Sequence, residues 1–429
     1  MRKLILPFIL LLFIFNCSSD DPTIVEIEVP EIVINDDVIL STQAEVNSFG
    51  TQNVTRIRGS LTIGINEFTE TPPDITDLSP LNTLQIVNND LIIVNTQLQT
   101  LEGLESLTTI NNDFTISGNR QLRSLFGLEG LTTINNEFRI SGNNELQNLD
   151  GLENLEFAEA IDIRGNRVLT SIDGLSGIKE VNGDLRLESL PLTNLGLNNL
   201  KSVNRTITLR NLPLGDIDGF NSLINIEGLL IIDDNNNLTS IKGFQNLETI
   251  NGLSIASNDV LTSLKELNFI TNITDFGSGL QFFENESLTS LEGLENIKSL
   301  QILNLFNSAF RSLQGLEGLE NLSALNINGN SNLTSLQGLE NLNEISQTLI
   351  LRNNPSLISL NGLNTLMNIP QEIAFENFPV GIIATNNSSL NDLCAVQTAV
   401  QNNPGIEIEI LENLFNPSVQ DIIDGNCSL

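Results

Sequence analysis

A leucine phrase returns about every 23 residues from Leu98 into the 370s, and that period confines the chain to a solenoid. One copy runs Leu98-Gln-Thr-Leu101-Glu-Gly103-Leu104-Glu-Ser-Leu107-Thr-Thr-Ile110-Asn-Asn-Asp-Phe114-Thr-Ile116-Ser-Gly-Asn119. Later copies open at Leu122, Leu146, Leu169, Leu192, Leu214, Leu238, Leu261, Leu288, Phe310, Leu333 and Leu357, spaced 22 to 27 residues apart. One phrase cannot bury its own apolar side chains, so each coil needs neighbours above and below. Such a chain builds a long surface rather than a deep pocket. That geometry favours binding over catalysis.

Each position in the phrase has a physical role. Leu101, Leu104, Leu107 and Ile110 recur at a spacing of three, which lines one face of a 3₁₀-like turn. Phe114 and Ile116 are spaced by two, the period of a strand with one buried face. The glycines at Gly103, Gly127, Gly151, Gly174, Gly219, Gly243, Gly293, Gly315, Gly338 and Gly362 predict a turn with positive φ. Asn119, Asn143, Asn166, Asn235, Asn258, Asn285, Asn330 and Asn354 predict a structural amide ladder that satisfies turn backbone from coil to coil. Leu190 and Leu212 interrupt it, so the turn there must be held differently.

The pattern resembles leucine-rich repeats, and more closely the receptor L-domain-like variant common in surface proteins of Bacteroidetes. Leu288 to Ile297 and Leu333 to Leu342 carry the resemblance, each followed by the strand and its Asn. It spans roughly residues 46–380. It implies a parallel β-solenoid with short 3₁₀ or helical turns, about 12 clear coils and a cap at each end. At a strand spacing of about 4.8 Å the stack would be on the order of 60 Å long. The family mostly recognises proteins or glycans, so the implied function is non-catalytic binding.

The N-terminus carries an address. Met1-Arg2-Lys3 precedes an apolar run from Leu4 to Phe15, too short to span a bilayer but suited to a signal-peptide core over residues 1–16. Cys17 closes that core and looks like the lipidated cysteine of a bacterial lipobox, with Asn16 departing from the usual small residue. The following Ser18-Ser19-Asp20-Asp21 resembles the acidic export tag of Bacteroidetes surface lipoproteins. The expected location is the outer membrane, lipid-anchored and facing the medium, although an ordinary signal peptide and a periplasmic orientation stay open. Residues 17–45 read as a tether, 46–97 as imperfect N-terminal capping coils, 98–380 as the repeat solenoid and 381–429 as a C-terminal cap. Cys394 and Cys427 are the remaining thiols and share that tail, so in an exported, oxidising setting they are expected to pair. Closing such a loop contributes roughly 4 kcal/mol in the chain-entropy model. The tail also resembles the disulfide-closed caps of leucine-rich-repeat proteins.

Charge and composition narrow the chemistry. The net charge is −34, which repels nucleic acid and anionic membrane surfaces and suits a monomer in solution. There is no His, so Ser-His-Asp and Cys-His arrangements are excluded, and zinc and copper sites are disfavoured. No cofactor or metal is expected. Calcium at Asp233-Asp234 stays open, but a polar turn is the simpler reading. Paired carboxylates acting on polysaccharide also stay open, as the less favoured alternative to binding. A structural or adhesive spacer without specific ligand is the other.

The residue between each apolar strand pair and the one after it should face outward. Two patches emerge in those positions. Arg139, Asp162, Arg164, Arg186, Glu188 and Arg210 make a mixed-charge cluster, for which cross-strand ion pairing is the plainer account. Phe283 and Phe306, beside Gln281 and Asn304, place two aromatics on successive outward positions. The preceding coil is the longest, with a Gly-rich tip that includes Phe276. An enlarged loop beside exposed rings marks 274–306 as the expected recognition hot spot for an extracellular protein or glycan.

Overall fold

The computed structural model describes residues 31–65, 73–271, 273, 279–369 and 381–429. Their strands join one sheet, and every pairing between named strands is parallel. The molecule is a parallel β-solenoid of about 15 turns. In the first coils each turn gives two short strands, such as Arg56–Ile57 and Leu61–Gly64, which build two ladders side by side. In other coils the two fuse into one strand, such as Thr133–Ser141, although the separate pair returns at Glu180–Val181 with Leu185–Glu188 and at Ser202–Val203 with Ile207–Arg210.

The apolar phrase lines a single continuous core. Leu101, Leu104, Leu107, Ile110, Phe114 and Ile116 are all fully buried, as are their equivalents in later coils. The spacing of three corresponds to successive i→i+3 bonds: the Leu104 N–H donates to the Leu101 carbonyl at 3.2 Å, and the Leu107 N–H to the Leu104 carbonyl at 2.9 Å. Phe114 and Phe138 stack on adjacent rungs, 5.4 Å apart.

The asparagines bind coil to coil. The Asn119 N–H donates to Asn143 Oδ1 at 2.9 Å, and the Asn143 N–H to Asn166 Oδ1 at 2.8 Å. In the other direction, Asn143 Nδ2 donates to the Ile116 carbonyl at 2.9 Å. Each side chain thus satisfies a donor and an acceptor of the preceding coil inside the core, where an unmet group would be costly. Just before each ladder residue the backbone turns through positive φ, at Gly118, Gly142 and Gly165 but also at Ser189, Asn211 and Asp234.

The repeat glycines answer two demands. Gly127 has φ +110°, and a Cβ there would lie 2.1 Å from the Leu101 carbonyl oxygen. Gly174 departs from the expected positive φ, because it lies in the 3₁₀ helix Asp173–Leu175. A Cβ there would still meet the Leu149 oxygen at 2.1 Å. Close approach of the previous coil is therefore the requirement common to both.

Two boundaries differ from the sequence reading. The tether expected over 17–45 ends earlier: Val33–Ile34 pairs with Arg56–Ile57, Val38–Leu40 pairs with the Leu61 strand, and Leu40 is buried. Asn35-Asp36-Asp37 between them has a loop-like composition but forms the corner between the two ladders. Helix Gln43–Gly50 then crosses the expected 45/46 boundary, starts at a Thr42–Glu45 capping box and buries Val46 and Phe49. At the other end, the expected cap over 381–429 contributes two more parallel strands, Gly381–Thr385 and Ile408–Leu411, with Asn387 and Asn413 extending the ladder. The break at 380 is thus not the end of the solenoid. The strand that the period places at 374–376 is found at Gly381–Thr385, because the connection is longer than the repeat allows. Cys394 and Cys427 are bonded, with Cα atoms 5.0 Å apart. The signal peptide and Cys17 lie outside the described residues, as does Phe276.

Asn143→Ala removes the acceptor for the Asn119 N–H and the donor for the Ile116 carbonyl. The expected loss is about 2 kcal/mol or more, read as a shift of the chemical-denaturation midpoint without a change of slope.

Candidate functional site

The outward positions of the strands form a continuous face, and strand register fixes which side chains meet there. Arg139 stands opposite Asp162, and Arg210 opposite Asp233. The Arg139 Nε donates to Asp162 Oδ2 at 3.2 Å, while Arg164 reaches the same oxygen from the same strand at 3.3 Å. Arg139 also bonds Glu137 two residues earlier. Arg186 donates through Nε to Glu188 at 2.7 Å, and Arg210 through Nε to Asp233 Oδ2 at 2.7 Å. The six residues expected to cluster are brought together, as an ion-paired band. The sequence reading missed the roles of Glu137 and Asp233, though their places beside Arg139 and Arg210 were available from the register. The hydrogen bond to Glu137, followed by the nearby acidic charges, raises the Arg139 pKa above its ordinary value despite the opposing desolvation. That guanidinium therefore stays charged at any working pH.

Asp162 differs from the other acids. Its side chain is only 9% exposed, and Oδ1 has no partner among the described residues, while both of its arginines are about two-fifths exposed. The costs of breaking the pair are therefore unequal. Asp162→Ala frees two guanidiniums that water can reach and should cost about 1 kcal/mol or less. The double change Arg139→Ala and Arg164→Ala strands a buried carboxylate and should cost about 3 kcal/mol. Denaturant midpoints of the two variants check the order.

The second patch lies further along the same face. Phe283 and Phe306 occupy one register position on adjacent strands, with ring centroids 5.1 Å apart and planes tilted by 60°. Both rings are half-buried, unlike the fully buried Phe282 one residue away. Gln281 and Asn304 share the neighbouring register position and are also half-buried. Ala256 and Asn328 flank the rings on the strands to either side. A pair of touching aromatics thus sits among small and amide side chains.

The run Asp233 to Asn237 has other duties than metal binding. Asp233 is held by Arg210, Asp234 takes the positive-φ turn, Asn235 is a buried ladder rung, and Asn236 donates to Asp234 at 3.1 Å. Among the described residues no group of three or more His, Cys, Asp or Glu is placed to hold a metal. Glu137, Asp162, Glu188 and Asp233, the acids of the band, are each engaged by arginine.

The Receptor L domain family model matches residues 53–157. Residues 53–157 are thus similar to a receptor L domain, and the fold as a whole is a solenoid of the leucine-rich-repeat, receptor L-domain-like type. The matched part of the L-domain-like chain takes in Arg139 but stops before Arg164 and the aromatic pair. Among solved structures, a TLR13–ssRNA13 complex is 14% identical to it, covering 91% of this chain and 74% of the other, at a TM-score of 0.33. A leucine-rich repeat protein from Bacteroides eggerthii DSM 20697 is 12% identical, covering 80% and 71%, at a TM-score of 0.34. No curated protein matches the chain.

Proposed function

We propose that the protein is a non-catalytic recognition module, displayed on the cell surface by a lipid on Cys17, that binds an extracellular protein or glycan through its outward strand face. The observation that carries the reading is the Phe283–Phe306 pair. Apolar rings on an outward strand face are stabilised by partners they meet there, and an aromatic pair beside amides can stack on a sugar ring or hold an apolar peptide side chain. The coarser part, a binding or recognition fold, agrees with the Receptor L domain match. The arginine band, with its acids already engaged, fits a structural share of the face.

Screening the purified chain against glycan and protein arrays supplies the ligand. The double change Phe283→Ala and Phe306→Ala should then weaken binding by about 2 kcal/mol or more while the melting temperature stays nearly unchanged. A sharp drop in melting temperature would instead assign the rings to the core. No ligand in any array would favour the spacer reading.

The lipid anchor has its own check. Metabolic labelling with a fatty-acid analogue should mark the wild type and leave Cys17→Ala unlabelled. Equal labelling of both would remove the anchor from this account.

A further inference from the structure

The interruption of the amide ladder coincides with a shallow, open depression. In most coils two residues separate the ladder Asn from the next core leucine, as in Asn166-Arg167-Val168-Leu169 and Asn235-Asn236-Asn237-Leu238. In the two coils between these, only one residue does: Leu190-Pro191-Leu192 and Leu212-Pro213-Leu214. Proline suits so short a turn because its φ is already set. Two successive short turns between two longer ones leave a depression of about 420 Å³ at the ends of the strands. Its apolar lining is Leu190, Pro191, Leu212 and Pro213, with both leucines only 2% exposed. Arg167, Asp234 and Asn236, all exposed, also line it.

We propose that this depression binds a carboxylate-bearing saccharide of one or two rings, of the uronic acid class. The site is separate from the strand-face reading, since none of its lining residues belongs to the aromatic patch. The volume suits a small ligand. Pro191 and Pro213, the accessible apolar residues of the lining, offer a surface to the C–H face of a sugar ring, while Leu190 and Leu212 are buried. The rim is rich in groups that exchange hydrogen bonds with hydroxyls: Ser189, Asn211, Asn236 and Asp234. Two internal bonds orient these groups, Asn211 Nδ2 to Ser189 Oγ at 3.1 Å and Asn236 Nδ2 to Asp234 Oδ1 at 3.1 Å. Arg167 supplies the specificity for acid. Among the described residues it makes no ion pair or side-chain hydrogen bond, whereas the nearby Arg164 and Arg210 are tied to Asp162 and Asp233. A free guanidinium is a planar fork matched to a carboxylate. At physiological salt the screening length is about 8 Å, which mutes the remoter acids of the chain; Asp234, which also lines the depression, is left to accept from ligand hydroxyls while Arg167 takes the carboxylate.

The test titrates D-glucuronate into the purified chain at physiological salt, with D-glucose and acetate as controls, followed by calorimetry and saturation-transfer NMR. Glucuronate should bind about tenfold or more tightly than glucose, the scale of one charge-assisted hydrogen bond. Arg167→Gln should reduce glucuronate to the level of glucose and leave the melting temperature unmoved. Phe283→Ala with Phe306→Ala should leave glucuronate binding intact, which separates this site from the strand face. The assignment is overturned if glucuronate fails to bind up to about 10 mM, a weak limit for a specific site. It is equally overturned if Arg167→Gln binds as the wild type does, or if acetate matches glucuronate. A glutamate dipeptide that binds more tightly than glucuronate would assign the depression to peptide instead.

Discussion

The hydrogen bond from a ladder residue's backbone N–H to the amide oxygen of the next coil is the interaction on which the stack depends. Each turn leaves the strand through a positive-φ residue and exposes backbone groups in a place that the core then closes off from water. A side-chain amide one coil away meets that need with one donor and one acceptor. The same bond fixes the vertical register of adjacent turns, and with it the alignment of every outward position on the strand face. The Arg139–Asp162 pair inherits its geometry from it, and the Phe283–Phe306 pair from the corresponding bond to the Ser308 hydroxyl.

Where the amide is absent, the chain shows what the bond was doing. Ser308 substitutes with a hydroxyl, accepting from the Asn285 N–H at 3.3 Å while its own N–H donates to Asn330. Leu190 and Leu212 offer no such acceptor to the coils before them. The turn there shortens onto proline, and the surface sinks. A local loss of polar satisfaction is thereby converted into shape.

Most of the fold was legible from the chain because it is written many times over. Positions such as Leu101 and Phe114 occupy equivalent sites in coil after coil, so an error in reading one copy is corrected by the others. The ends lacked that redundancy. Val33–Ile34 is only two residues long and is followed by Asn-Asp-Asp, so it reads as linker until its pairing with Arg56–Ile57 is seen. Strand Gly381–Thr385 was displaced because its connection abandons the period. Alternation located the outward face and both of its patches. It could not say that Glu188 would turn to Arg186 on its own strand rather than to Arg164 or Arg210 opposite, since that choice is made by side-chain rotamers. The depression at Leu190 and Leu212 was visible only as a lapse in the ladder, because its shape arises from two short turns acting together.

The two ends of the stack are closed by different means. At the C-terminal end a covalent bond between Cys394 and Cys427 ties the final turn to the tail. At the N-terminal end the outermost described coil is strands Val33–Ile34 and Val38–Leu40 with the helix Gln43–Gly50, held by Val46, Phe49 and a capping box and by no covalent bond among the described residues. A one-dimensional array with nearest-neighbour coupling frays from its weaker terminus. The solenoid therefore has a mechanical polarity: a pull on its N-terminus peels coils one at a time from the helix end, while the disulfide keeps the far end wound.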